Sequence, residues 1–330
     1  MAASDSPFVS TGRLPRPDLV QSLVVAVHER YRANAEGATA DVYPALASVD
    51  PGLFGVAVVA NDGSIFRAGD ADHEFSIISV SKPFVVALVC ELLGPREARE
   101  RLGVNSTGLP FNSLAAIERT VDGRTNPMVN PGAIATTSLV PGDAAESKWT
   151  FIQEGLSAFA GRELSVNTEI YESASETNGR NESIARLLQS YGRLDGDPAE
   201  ILDLYTRQCS LNVTAKDLAA MGATLADAGV NPLTGARVVD ADASRRTLAV
   251  MATAGLYETS GDWLYEVGLP GKSGIGGGIV TVAPGKGGLG TFSPRLDDAG
   301  NSVRGQLVAA ELSHSLGLDV FASEREARPR

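Results

Sequence analysis

The 330-residue chain has only two cysteines, Cys90 and Cys209. Both sit in apolar or helical surroundings without metal-ligand spacing, which argues against a disulfide framework or a zinc site and predicts buried, reduced thiols. Its three histidines, His28, His73 and His314, lie in unrelated contexts, so neither a Ser-His-Asp triad nor a histidine-based metal cluster can be assembled from them. Long apolar runs are also missing. The longest, Phe84 to Cys90, is far too short to span a bilayer, and MAASDSPFVSTGRLPRP has no apolar core of the kind a signal peptide needs. The expectation is a cytoplasmic protein. Positive charge is in deficit, with 28 Lys and Arg against 40 Asp and Glu and a net charge of -12. Such a balance repels phosphate backbones and anionic lipid, so neither nucleic acid nor membrane is expected as a partner.

Lysine is the scarcest of the common charged residues, found only at positions 82, 148, 216, 272 and 286. Only Lys82 has a serine three residues before it, in FSIISVSKPFVV (75–86). Residues three apart share one helix face, so Ser79 at a first turn can meet Lys82, and the apolar sequence beyond would bury the amine and lower its pKa. The bland alternative is a serine cap followed by a solvated lysine. Pro83 fits a first helical turn but disfavours the helical region for the residue before it. A second motif, Gly271-Lys272-Ser273-Gly274, precedes the strand-like IGGGIVTV. An early Ser-x-x-Lys with a late Lys-Ser-Gly is the signature pair of penicillin-binding and β-lactamase folds. There Lys272 would give electrostatic support, and the N–H groups of Ser79 and Ile275 could form an oxyanion hole. Glu266, standing where glycine is required, argues against a phosphate loop, and Ile279 argues in the same way against a dinucleotide fingerprint.

The hydrophobic pattern orders the chain. Residues 1–16 read as an arm, and Pro17-Asp18 opens an amphipathic helix. LFGVAVVA and SIFRA around Asn-Asp-Gly form a hairpin. Residues 85–259 are mostly helical, after which GIVTVAP and LGTFSPRL, joined by GKGG, return to strand before a closing helix. These segments predict an α/β (α+β) protein, with a sheet-containing subdomain built from residues 17–84 and 260–325 and a helical subdomain, 85–259, inserted between them. There is no internal repeat.

Over about residues 20 to 320 the sequence resembles the serine-dependent glutaminases. The resemblance rests on FSIISVSKPF, TNPMVNPGAIATTSL, the RN of NGRNESIA, LYTRQCSLNVTAKDLAAMGATLADAGVNPLTG, MATAGLYETSGDWLYEVGLPGKSGIGGGI and FSPRLDDAGNSVRG, in that order. It implies a β-lactamase-like, mainly antiparallel sheet flanked by helices, hydrolysis of L-glutamine to L-glutamate and ammonia without a cofactor, and a homo-oligomer. Carried over by residue, it implies Ser79 as nucleophile, Lys82 as general base and Tyr257 as proton relay. Asn130, Asn181, Tyr205 and the backbone of Ile275 become substrate contacts, alongside Ser79 and Tyr257. The sequence departs from the family at Val42-Tyr43-Pro44, where Tyr-Ile-Pro is usual, and at Ile78, Pro131 and Gly271. It also has Ala174 where a glutamate would meet the substrate ammonium, leaving Glu176, two residues on, as the candidate replacement. Hydrolysis of another small amide or ester by the same fold, and a silent amino-acid-binding relative, stay open as alternatives.

Overall fold

The computed structural model describes residues 12–323. Most of the expected N-terminal arm therefore lies outside the described residues, as do the last two positions of the expected sheet subdomain. Among the described residues seven strands run β1 Gly55–Ala60, β2 Ile65–Gly69, β3 Phe75–Ser76, β4 Asn212–Val213, β5 Gly271–Ser273, β6 Gly278–Ala283 and β7 Gly287–Phe292. Five of them form one antiparallel sheet in the order β2-β1-β7-β6-β5, so strands from both halves of the sequence meet where β1 pairs with β7. The expected hairpin is present: Val58 faces Phe66 across β1 and β2, and Gly63, at φ 84°, takes the left-handed turn position that Asn-Asp-Gly supplies. The second hairpin differs in detail from the sequence reading. Gly287 and Gly288 belong to β7, and the turn is the shorter Pro284-Gly285-Lys286.

Every residue of β1 is buried, because helices cover both faces of the sheet. Val56, Val58 and Ala60 pack with Val20, Val24 and Val27 of the first helix, Pro17–Tyr31, and with Val308 and Leu312 of the last, Val303–Leu316. Ala57 and Val59 face the other way, into the large core shared with the helical segments. That second face is covered by the helix Ala215–Ala226, which lies across β7, β1 and β6. The helix therefore belongs to the sheet layer, although its sequence falls within the stretch expected to form the helical insertion. Its approach is unusually close. A Cβ on Gly290 would stand 2.0 Å from the Ala215 carbonyl oxygen, and one on Gly288 2.2 Å from that of Ala219. Thr214 and Asp217 cap the helix reciprocally, and the buried Asp217 carboxylate also takes Arg162 at 2.7 Å.

The short pair β3–β4 positions the site. Phe75 faces Val213 and Ser76 faces Asn212, while the Ile77 N–H donates to the Leu211 carbonyl at 2.9 Å. This ladder brings the Ser-x-x-Lys turn against the end of the helix Pro198–Cys209. The contact between β7 and its covering helix yields a direct test. Gly290→Ala meets backbone atoms that cannot swing aside and should cost about 3 kcal/mol in urea unfolding. Gly261→Ala, in a helix with open space around its Cβ, should be neutral or stabilising by up to about 1 kcal/mol.

Candidate active site

Ser79 sits in a single 3₁₀ turn, Ile78–Ser81, that runs directly into the helix Lys82–Leu93. The turn begins from a left-handed Ile78 at φ 46°, a costly conformation for a β-branched residue, and the side chain is held in place by Leu46, Ile170, Ile275 and Leu296. Lys82 adopts helical geometry despite the following proline. Its Nζ meets Ser79 Oγ at 2.5 Å, and the residue is only 1% exposed. Burial without a carboxylate pushes its pKa down to about 8, with the Cys209 thiol as a weaker opposing influence. At pH 7 roughly a tenth of Lys82 is then neutral, against about one part in three thousand for a solvated lysine.

Lys272 lies on the edge strand β5, fully buried, with Nζ donating to its neighbour's carbonyl, Ser273 O, at 2.6 Å and 4.3 Å from the centroid of the Tyr257 ring. Burial first and Lys82 second drive its pKa well below the ordinary lysine value. A proton on Lys82 and one on Lys272 disfavour each other, since both amines are buried with no carboxylate to offset them.

Tyr257 takes a second left-handed backbone position, φ 55°. Its hydroxyl reaches Ser273 O at 3.4 Å, and its ring tilts against Phe111 with centroids 4.8 Å apart. Burial raises its pKa to about 12, more than hydrogen bonds to Ser79 and Ser273 lower it, so it stays a protonated phenol at neutral pH. Ile275 sits in the turn after β5, closed by Gly277 N–H to Gly274 O at 2.9 Å. Among the described residues neither the Ser79 nor the Ile275 N–H has a protein acceptor. Gly274 keeps the approach open, since a Cβ there would lie 3.2 Å from the Ser79 nitrogen. Two N–H donors placed in this way are what stabilisation of an oxyanion requires.

A narrow pocket leads to Ser79 and is lined also by Asn130, Asn181, Tyr205 and Ile275. Its polar wall is a relay of side chains. Tyr205 OH donates to Asn130 Oδ1 at 3.2 Å, and Asn130 Nδ2 to Asn181 Oδ1 at 2.9 Å. Asn181 Nδ2 donates in turn to Asn178 Oδ1 and Asn178 Nδ2 to Thr206 Oγ1, both at 2.8 Å. The structure thus brings together Ser79, Lys82, Tyr257, Asn130, Asn181, Tyr205 and Ile275. Glu176 is exposed and is not among the pocket residues, whereas Ala174 is buried and lines it.

Several pocket residues were not foreseen. Tyr43 lines the pocket although Val42, beside it, is exposed, so the displaced Val-Tyr-Pro tyrosine still reaches the site. Asn178, Phe111 and Thr206 join it, as does Cys209. Cys209, expected as a buried, reduced thiol, is partly exposed, with Tyr205, Ser81 and Lys82 around its sulfur. Asn301 bridges the site from behind, accepting from Ser273 Oγ at 2.5 Å and donating to Thr259 Oγ1 at 3.0 Å. A roomier cleft along the same helix, lined by Val86, Cys90, Arg96 and Arg246, contains no nucleophile–base pair. Among the described residues no three His, Cys, Asp or Glu side chains converge as metal ligands, and no helix is long and apolar enough to cross a membrane.

Comparison with known proteins agrees with this geometry. The family described as Glutaminase matches residues 37–321. The chain belongs to the glutaminase family. It is 65% identical over 317 residues to "Glutaminase 2" of Yersinia pestis, covering 96% of this chain and 93% of that one. It is 48% identical to the glutaminase of Colwellia psychrerythraea, with 93% and 99% covered. Among solved structures, "Probable glutaminase ybaS" superposes with a TM-score of 0.92 at 44% identity, covering 93% of this chain and all of that one. A Bacillus glutaminase superposes with a TM-score of 0.84 at 30% identity, with 92% and 100% covered. The glutaminase neighbours carry the β-lactamase-like arrangement expected from the two lysine motifs.

Asn301 offers a test of how this glutaminase-family site is held. Asn301→Ala leaves the buried Ser273 hydroxyl without its acceptor and takes a donor from the half-buried Thr259 hydroxyl, which keeps its own bond to Leu256 O at 2.9 Å. The loss should be about 1–3 kcal/mol in thermal or urea unfolding, accompanied by a fall in kcat as Tyr257 and β5 loosen.

Proposed function

We propose that the protein hydrolyses the side-chain amide of L-glutamine to L-glutamate and ammonia through a serine acyl-enzyme. The observation that carries this reading is the 2.5 Å contact between Ser79 Oγ and a buried Lys82 whose pKa falls to about 8. Neutral Lys82 takes the Ser79 proton as Oγ attacks the carboxamide carbon. The N–H groups of Ser79 and Ile275 receive the developing oxyanion. The C–N bond breaks as a proton returns to the leaving nitrogen through Tyr257 or Lys82, releasing ammonia. Water, deprotonated by the same groups, then cleaves the Ser79 ester to give the carboxylate product. Lys272 supports this cycle by burying a second amine near Lys82, which disfavours a doubly protonated pair. Asn130, Asn181 and Tyr205 would hold the head of the substrate.

The net charge of -12 supports a small-molecule substrate over nucleic acid. We also infer a cytoplasmic homo-oligomer, from the family resemblance and from composition. The subdomain division at 84/85 and 259/260 belongs to the same proposal, with the helix Ala215–Ala226 assigned to the sheet layer it covers. It sets the nucleophile turn and β5 at a junction with the helical segment that begins just after Lys82.

The reading is tested by following ammonia release from glutamine. Ser79→Ala and Lys82→Met should each lose about 10³-fold or more in kcat/KM, and a covalent glutamine analogue should add its mass at Ser79. Labelling at another residue would refute the assignment. Because the base form of Lys82 is required, kcat/KM should climb about tenfold per pH unit well below pH 8 and level off above it. A flat profile from pH 6 to 9 would remove Lys82 from the role of base.

A further inference from the structure

Three buried side chains behind the nucleophile turn have no place in the mechanism above. Ser81, Gln208 and Thr137 are each at most 1% exposed, and none of them lines the pocket. They form a directed chain of hydrogen bonds. The hydroxyl of Thr137, in the helix Asn130–Ser138, reaches Gln208 Oε1 at 3.2 Å, and Gln208 Nε2 donates to Ser81 Oγ at 3.0 Å. Ser81 Oγ donates in turn to the Ile78 carbonyl oxygen at 2.8 Å. A carbonyl can only accept, so the single Ser81 proton is spent on Ile78, and Ser81 can take only the N–H end of Gln208. The chain thus ends on the peptide that carries one of the two oxyanion donors. Ile78 C=O and Ser79 N–H belong to the same planar amide and point to opposite sides of it, so a side chain that holds the carbonyl also aims the N–H. Backbone preference does not maintain that aim, because Ile78 is left-handed at φ 46°. A hydrogen bond accepted by the carbonyl also polarises the amide and strengthens its N–H as a donor.

We infer, resting on the hydrolytic reading above, that Ser81 and Gln208 are positioning residues of the oxyanion site. They hold the Ile78–Ser79 peptide so that the Ser79 N–H meets the charge developing on the substrate oxygen, and Thr137 anchors the far end of the chain. None of the three touches the substrate. Their contribution is therefore made where charge develops, in the transition state, and not in the binding of glutamine.

The test follows ammonia release from glutamine for the wild-type protein, Ser79→Ala, Ser81→Ala, Gln208→Met and the double variant of the last two. Loss of a whole oxyanion donor lowers kcat by about 10²–10³-fold. Ser81→Ala keeps the donor and frees its plane, so kcat should fall about 10- to 100-fold while KM stays within about threefold of wild type. Gln208→Met, which leaves Thr137 its bond to Ala133 O at 3.1 Å, should lower kcat about three- to tenfold. Because Gln208 acts through Ser81, the double variant should be no more than about twofold slower than Ser81→Ala. The pH at which kcat/KM levels off should stay that of the wild type throughout, since Lys82 is untouched. A Ser81→Ala kcat within about threefold of wild type, a loss carried by KM, losses that multiply in the double variant, or a displaced pH profile overturns this inference and leaves the glutaminase reading standing. No Ser79-dependent release from the wild type overturns the hydrolytic reading, and this inference with it. Should Ser81→Ala fail to fold, kcat, KM and the pH profile of Gln208→Met decide.

Discussion

A lysine taken out of water with no carboxylate beside it is the constraint around which the rest of the molecule is arranged. Lys82 is only 1% exposed, and its Nζ is directed onto a serine hydroxyl. Such a group favours its neutral form, and a neutral amine is what a serine nucleophile needs. Keeping it in that form requires an apolar helix behind it and exclusion of acidic side chains from its neighbourhood. The helix Lys82–Leu93 supplies the first, with Phe84 to Cys90 buried without interruption. The want of acid in the adjoining pocket serves the same end, since a carboxylate close to Lys82 would hold its proton and silence it.

The scaffold contributes rigidity at the points where this arrangement is strained. Ile78 and Tyr257 are two of three non-glycine residues with positive φ among the described residues, and they flank Ser79 from opposite segments of the chain. Each is over-determined by its surroundings. Ile78 is locked in a small apolar cluster, and Tyr257 is pinned through Ser273, Thr259 and Asn301. Behind both stands the sheet, fixed by the close seat of the helix Ala215–Ala226 on the glycines of β7. Strain of this kind persists only where packing leaves no alternative.

Much of this was legible in the sequence, and for identifiable reasons. Alternation and turn chemistry gave the hairpins, because Asn-Asp-Gly has few other uses between two β-branched runs. Scarcity of lysine made Ser79-Val80-Ser81-Lys82 conspicuous, and Gly271-Lys272-Ser273-Gly274 gave it a partner. Glu176 failed to reach the pocket because helical geometry turns a residue two positions on to a different face from Ala174, and no local signal could reveal which face was buried. Tyr43, Phe111 and Asn301 come from segments remote in sequence, and only tertiary packing brings them to the site. Cys209 looked like a helix residue because it is one, at the end of Pro198–Cys209. That its thiol borders Lys82 depends on the β3–β4 ladder, which a two-residue strand barely announces.

The relay of amides in the pocket wall closes on itself. Tyr205, where it starts, and Thr206, where it reaches the helix again, are neighbours on Pro198–Cys209, and the Thr206 hydroxyl donates to Leu202 O at 2.8 Å. A backbone carbonyl can only accept, so Thr206 must spend its one proton there and can only accept from Asn178. That fixes which end of Asn178 faces Thr206, then which end of Asn181 faces Asn178, and then the orientation of Asn130. Three side-chain amides, each free in principle to flip, are thus oriented by one carbonyl oxygen of a neighbouring helix. The pattern of donors and acceptors offered to a ligand is therefore set by main-chain geometry and carries no group that ionises near neutral pH, burial holding the Tyr205 phenol well above its ordinary range, so recognition of the head is insulated from pH while the amine at the other end of the pocket is tuned to respond to it.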